Sequence, residues 1–194
     1  MAKKNSRATR AKIVSAAWKL FYEQGYEDTT VEEIIEVSQT SKGSFYHYFD
    51  GKDALLSTLS SLFDEKYEEL TGLLTPEMTA MEQLLFLNRE LFHMIEDSIS
   101  LDLLARLYST QLTTNGEKHL LDHNRIYYKL LRKIIAKGQS EGQLSSRSNV
   151  NEMVKLYALC ERALLYDWCL CAGEYALTEY SAKVLPGFLS SFLP

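Results

Sequence analysis

Proline and glycine are scarce in this chain, with three prolines (Pro76, Pro186, Pro194) and nine glycines among 194 residues. With so few breakers, long helices are expected and a many-stranded fold is not. Long apolar runs are missing as well. No stretch approaches the roughly 18 apolar residues of a membrane span, and the N-terminus is too polar for a secretory leader. Cysteine is sparse and odd in number. Cys160, Cys169 and Cys171 lie on one apolar stretch, which predicts reduced, buried thiols in a cytoplasmic protein rather than a disulfide framework. No CxxC pair and no histidine at ligand spacing accompanies them, so neither a metal nor a cofactor is expected. The four histidines (His47, His93, His119, His123) and the cysteines form no recognisable nucleophile–base pair. His119 and His123 are spaced i, i+4, but no third metal ligand is evident near them. The residues therefore do not describe an enzyme.

What is present suits an ordinary globular protein, 46% apolar and 24% charged. The net charge of −5 argues against a general nucleic-acid coat, but charge is unevenly spread. Residues 1–52 carry eight basic and seven acidic side chains; residues 53–194 carry thirteen and nineteen. Lys3, Lys4, Arg7, Arg10 and Lys12 face no acid within the first twelve residues. A small positive head on an acidic body is the pattern of a nucleic-acid reader with a second module.

Periodicity predicts about nine helices in an all-α fold, divided into a three-helix head at 1–52 and a helical body at 53–194. Residues 8–24 place Ile13, Ala16, Ala17, Leu20 and Phe21 at helical spacing, and Gly25 stops that helix. Thr30 and Glu33 form a capping box at the start of a short second helix. Ser41 caps a third, with Phe45 and Phe49 pointing inward. Asp50 is expected to cap a fourth, with Asp53 at the box position, running on to about Leu70. Further helices are expected at 77–98, 101–112, 117–140 (ended by Gly138 and Gly142), 148–172 and 177–193, with Pro186 kinking the last.

The two short helices separated by a polar turn read as a helix-turn-helix, whose second helix lies in the DNA major groove. That second helix is crowded with groups that touch nucleic acid: Ser41, Lys42, Ser44, Tyr46, His47 and Tyr48. Gly43 sits among them at a helix-propensity cost of roughly 1 kcal/mol, a cost explained by close approach of DNA to the backbone. Lys42 and Lys52 lie at helix starts, where a cation opposes the helix dipole unless a phosphate approaches from outside. The alternative for this head is a helical adaptor that binds a protein partner, for which affinity would lack the steep salt dependence of phosphate contacts.

The stretch from about Arg10 to Leu56 resembles the DNA-binding domain of the TetR family of bacterial transcriptional repressors. The matching residues are Ala16-Ala17, Leu20-Phe21, Gly25-Tyr26, Thr29-Thr30-Val31, Ile34, Ser41-Lys42-Gly43, Phe45-Tyr46, Tyr48-Phe49, Lys52 and Leu55. The resemblance implies an all-helical homodimer that binds a palindromic operator in double-stranded DNA and is released by a small molecule held in the C-terminal half. It also implies that Thr40, Lys42, Gly43, Tyr46 and His47 face bases or nearby backbone, and that Thr29, Thr30, Tyr48 and Lys52 tend to phosphates. Ile35 and Gln39 depart from the alanine and glycine usual in the family. They are expected to alter the packing and the turn between the two short helices.

In the body, stretch 148–172 is apolar on two faces, Val150, Val154, Tyr157, Leu164, Leu165 and Trp168 on one and Leu156, Cys160, Ala163 and Leu170 on the other. Such a helix needs two burial partners. With 177–193 it suits a four-helix homodimer interface. Polar residues on apolar stripes, namely Asn88, Asn124 at core spacing with Leu120, Tyr127 and Leu131, and Glu161, mark a candidate pocket for an unknown small-molecule effector. Phe63, Tyr67, Phe86, Tyr108, Tyr127, Trp168 and His93 are its candidate lining.

Overall fold

The computed structural model describes residues 2–113 and 118–194, with side chains from Ser6 onward. The side chains of Lys3 and Lys4, and position 117 where a helix was expected to begin, lie outside the described residues. Among the described residues all regular structure is helical: ten α-helices and two short 3-10 turns. The first three are α1 (Ala2–Gln24), α2 (Val31–Ser38) and α3 (Lys42–Tyr48). α4 (Lys52–Leu56), α5 (Leu59–Thr71), α6 (Ala80–Ser98) and α7 (Leu101–Thr113) follow. α8 (Ile126–Ser140), α9 (Val150–Leu170) and α10 (Leu177–Leu189) complete the chain, with 3-10 turns at His119–Leu121 and Ser190–Phe192.

The head folds around the stripe read from the sequence. Ile13, Ala16, Ala17, Leu20 and Phe21 of α1 are buried in one core with Ile34 of α2, Phe45 of α3 and Phe49 at its C-terminal cap. Gly25 ends α1 at φ 91°, its amide donating to the Phe21 carbonyl. In the body α6 lies at the centre, packed on α5, α8 and α10, while α9 is flanked by α7, α8 and α10. Leu84, Leu87, Leu91, Phe92 and Ile95 carry the core side of α6.

Four sequence expectations are corrected. The helix expected to run from the 50–53 turn to Leu70 is two helices, broken at Ser57–Thr58. There the Thr58 amide bonds back to Leu55, and its hydroxyl is drawn to the Leu55 carbonyl and the Trp18 indole. Asp50 does not cap α4. Gly51 occupies that position without a side-chain bond, and Asp53 accepts instead from the buried Tyr26 hydroxyl. The long helix begins only at Ile126, so Asn124 lies exposed in the turn before it, not on a core stripe. Its amide is tied to the Asp122 carboxylate, a local turn that competes with helix. Gly138 does not end α8. It is buried inside the helix where α8 crosses the start of α6, and the end falls at Glu141, followed by Gly142 at φ 72°.

α10 has no local cap, since Ala176 holds the N-cap position. Glu96 of α6 takes that role from 81 and 82 residues away, accepting from the amides of Leu177 (2.5 Å) and Thr178 (2.9 Å). A carboxylate at the positive end of the helix dipole satisfies donors that would otherwise be orphaned. Pro186 lies inside α10, one turn before its end.

Candidate nucleic-acid interface and inner cavity

Two caps hold the helix-turn-helix. The Thr30 hydroxyl accepts from the Glu33 amide (3.2 Å) and the Glu33 carboxylate accepts from the Thr30 amide (2.7 Å). That backbone bond holds the Glu33 carboxyl below its ordinary value. The Ser41 hydroxyl accepts from the Ser44 amide (3.1 Å) and starts α3. Phe45 is fully buried beneath α3, which leaves Lys42, Gly43, Tyr46 and His47 exposed together on its outer side. Ser44 and Tyr48 are half-buried, and the Tyr48 hydroxyl donates to Ser6 (2.9 Å). Lys42 reaches Glu32 at 3.3 Å, but both side chains are about 70% exposed. Such a pair adds little and yields easily to a phosphate.

Gln39 adopts the left-handed conformation, φ 53° and ψ 42°, that a glycine takes without strain. Thr40 then returns its amide to the Ile35 carbonyl, and the Ser38 and Thr40 hydroxyls share a 2.8 Å bond. Ile35 is accommodated half-buried against the core. Gln39→Gly is expected to stabilise the protein by about 0.5–1 kcal/mol, the left-handed cost less the extra chain entropy of glycine. Urea unfolding reads this directly; an unchanged or lowered midpoint would show that the Gln39 backbone is not strained.

Besides Thr30 and Tyr48, the other two residues assigned to phosphates by resemblance also have internal partners. The Thr29 side chain is buried and donates to the Gly25 carbonyl (2.7 Å). The Lys52 ammonium donates to the carbonyls of Tyr26 (2.6 Å), Glu27 (3.2 Å) and Thr29 (2.8 Å), using all three of its donors on the α1–α2 turn. It also lies 4.3 Å from the centre of the Tyr26 ring.

The body holds a narrow cavity among α5 to α9. Phe63, Tyr67, Tyr108, Tyr127 and Glu161 meet there, joined by Leu91, Leu120, Leu165, Arg125 and Arg162. Its volume is about 50 Å³. The Glu161 carboxylate is fully buried and accepts from Tyr127 (2.6 Å) and from Asn88 (2.9 Å), whose own carbonyl accepts from Ser181 (2.5 Å). Burial pushes the Glu161 carboxyl above its ordinary value, against the pull of those bonds. The Tyr67 hydroxyl also faces this region, buried and without a hydrogen-bond partner. Such a group costs about 1–3 kcal/mol, so a polar atom from outside the chain has a donor waiting.

The remaining candidates lie elsewhere. Asn88 reaches the cavity only through Glu161, and Phe86 lines an open groove between α6 and α10. His93 is exposed beside Asp97 (3.4 Å), and Asn124 is exposed in its turn. Trp168 is buried with its indole donating to the Tyr175 carbonyl (2.9 Å). Sequence reasoning missed the two arginines. Arg125 is held by Asp64, 3.0 Å away and 61 residues distant, so no local pattern signals it. Arg162, beside Glu161 on an apolar helix, was the legible one; it donates to the Tyr128 hydroxyl at 3.2 Å. Burial raises the Cys160 and Cys169 thiols to about 11, which keeps them protonated and unreactive. Among the described residues no group of His, Cys, Asp or Glu is placed to hold a metal.

An exposed helix on a helix-turn-helix head, followed by further helices around an inner cavity, is the architecture of the chain. Residues 13–59 match the family described as bacterial regulatory proteins, tetR family. The chain is 36% identical over 58 residues to the HTH-type transcriptional regulator QacR of Staphylococcus aureus (strain Mu50 / ATCC 700699), covering 30% of this chain and 31% of that protein. It is 40% identical over 58 residues to an uncharacterised HTH-type transcriptional regulator in the lacX 3′ region of Lactococcus lactis subsp. lactis, covering 29% and 30%. These matches thus span about 30% of the length of the curated relatives. The fold likeness is longer. FadR of Thermus thermophilus, a TetR-family transcriptional repressor solved in complex with lauroyl-CoA, superposes with a TM-score of 0.76 at 25% identity, covering 95% of both chains. Residues 13–59 thus match a tetR-family DNA-binding head, and the chain as a whole shares the fold of a TetR-family repressor.

Proposed function

We propose that the chain is a cytoplasmic, ligand-controlled repressor without enzymatic activity, which binds a palindromic operator as a homodimer. In this reading residues 1–52 read DNA, and residues 53–194 bind the effector and dimerise. The observation that carries it is the outer side of α3, where Lys42, Gly43, Tyr46 and His47 stand exposed on a helix locked by the Ser41 cap and the buried Phe45. These are groups that bond base edges and phosphates. Dimerisation is supported by an apolar stripe on α9 that the chain itself leaves uncovered: Leu159, Ala163, Tyr166 and Leu170, at helical spacing. Tyr180 continues it on α10. Packed on its copy across a two-fold axis, this stripe buries the second face of α9.

The cavity supports an effector that is largely apolar. At about 50 Å³ it is closed compared with the roughly 300–1,000 Å³ of an occupied ligand site, so entry must displace the surrounding helices. The structural neighbour's bound lauroyl-CoA makes acyl-CoA the first probe. Phe63, Tyr67, Leu91 and Leu165 suit an acyl chain, and Arg162 suits an anionic head.

Selection of bound duplexes from random DNA tests the reading. A two-fold symmetric site is expected, with half-sites spaced by about one helical turn and affinity falling steeply with salt. No enriched sequence, or affinity indifferent to salt, would favour the adaptor alternative. Gly43→Ala sharpens the test. A Cβ at this position meets nothing closer than the Ser41 hydroxyl at 4.0 Å. The free protein should therefore gain up to about 1 kcal/mol in helix propensity. Operator affinity is nevertheless expected to fall at least tenfold, because the methyl group occupies the space the DNA backbone needs. Unchanged affinity would remove Gly43 from the interface.

A further inference from the structure

Tyr26 lies at the junction between head and body, in the turn joining α1 to α2. Its ring is 4% exposed and is approached by two cations, Lys52 of α4 at 4.3 Å and Arg106 of α7 at 4.9 Å from its centre. Its hydroxyl donates to Asp53 of α4. The Arg106 guanidinium also pairs with Glu27 in the same turn (2.5 Å) and with Asp102 one helical turn back (2.8 Å). The Asp102 bond orients the fork, and the Glu27 and Tyr26 contacts place it on the head. The turn is thus gripped from two sides. Lys52 holds its carbonyls from α4, and Arg106 holds its ring and its acid from α7. One residue further on, Thr30 caps α2 and begins the helix-turn-helix.

On its other side α7 borders the cavity. Tyr108, two residues after Arg106, lines it. Side chains two apart on an α-helix diverge by about 200°, so α7 stands between cavity and turn with one residue on each. Leu103, Leu104 and Leu107 bury the same helix in the body core, which makes it move as a unit. The helix also packs directly on α4.

We propose that Arg106 is the positioning residue through which the body sets the geometry of the reading head, carrying any displacement of α7 into the 25–30 turn and so into α2 and α3. The proposal rests on the reading of the head as a DNA reader and of the cavity as the effector site. It assigns no DNA or effector contact to Arg106. Its removal therefore separates the two functions rather than abolishing either.

Hydrogen exchange on the whole 194-residue chain tests it without knowledge of the effector. In the free protein, Arg106→Ala is expected to speed amide exchange over residues 29–34 by about threefold to tenfold, from loss of a cation–π and ion-pair contact. Amides of α8 should be unchanged, which distinguishes a local release from general destabilisation. Arg106→Lys, which keeps the charge but not the planar fork, should fall between. Adding the enriched operator duplex should slow exchange in the wild-type head and also in α7. In Arg106→Ala the head should still be protected while the α7 response is lost. Unchanged exchange over 29–34, or an α7 response that survives the substitution, overturns the proposal. A wild-type head that no duplex protects defeats the DNA reading itself, and the coupling with it.

Discussion

Glu161→Ala is expected to lower unfolding stability by about 2–4 kcal/mol, read as a fall in the urea midpoint with little change in slope. The buried carboxylate accepts from Tyr127 and Asn88, and Asn88 passes the network on to Ser181 of α10. Truncation leaves two buried donors without an acceptor and a void beside them, each costing about 1–3 kcal/mol. Against this, removing a buried acid returns part of its desolvation cost, which is why the expected loss is not larger. A loss below about 0.5 kcal/mol would show that the network adds nothing to the fold.

Glu161→Gln isolates the charge. The folded-state value of this carboxyl is raised above its ordinary 4.5, so the folded protein holds the proton more tightly than the unfolded chain does. Its contribution to stability is therefore fully present below pH 4.5 and is lost as pH rises through the raised folded value. The stability difference between wild type and Glu161→Gln should then move against the wild type as pH climbs above 4.5. A difference flat across that window would mean that the Tyr127 and Asn88 bonds fully offset burial. The same network spans α6, α8, α9 and α10, so an effector that displaces Tyr127 also loosens the packing of α9 and α10. The dimer reading predicts that effector and dimer affinity are linked through this carboxylate.

Gly138→Ala is the second large effect. An added Cβ would lie 2.5 Å from the Ala80 Cβ and 2.9 Å from two Leu144 side-chain atoms. Real Cβ atoms do not approach so closely, and Ala80 has no side-chain torsion with which to retreat. The backbones of α6 and α8 must separate. Overpacking costs about 1–3 kcal/mol and the 2.5 Å contact puts this site at the upper end, which outweighs the helix-propensity gain of about 1 kcal/mol that the same change gives in an open helix. The expected result is a net loss, with a melting temperature several degrees lower. The contrast with Gly43→Ala is direct, since the same substitution in a helix meets open space there and a methyl group here. A stability gain at 138 would show that the helix crossing is looser than its 2.5 Å clearance implies.

Much of the head was legible because its determinants are local. A capping box needs two residues three apart, and Thr30 and Glu33 are three apart. The Ser41 cap, the Gly25 stop and the Ile13–Phe21 stripe are equally short-range. The left-handed backbone at Gln39 was not legible in this way: the expectation there was an altered turn, and the structure keeps the conformation that the family's usual glycine takes. The side of α3 that bears Lys42, Gly43, Tyr46 and His47 needed only the helical period and the inward Phe45.

The body was legible as helices and not as a site. The sequence by itself determined that the chain is all helical, where its apolar faces lie and that the head reads as a helix-turn-helix, since spacing along the chain sets each of these. Only the tertiary structure decided the Asp64–Arg125 pair, the capping of α10 by Glu96, and which candidate residues meet around Glu161. It alone turned Gly138 from a stop into a crossing point, moved Lys52 onto three carbonyls and brought Arg106 to Tyr26. The physical reason is the same in each case: these partners are joined by packing across tens of residues, and a hydrogen bond between distant segments leaves no periodic trace in either one.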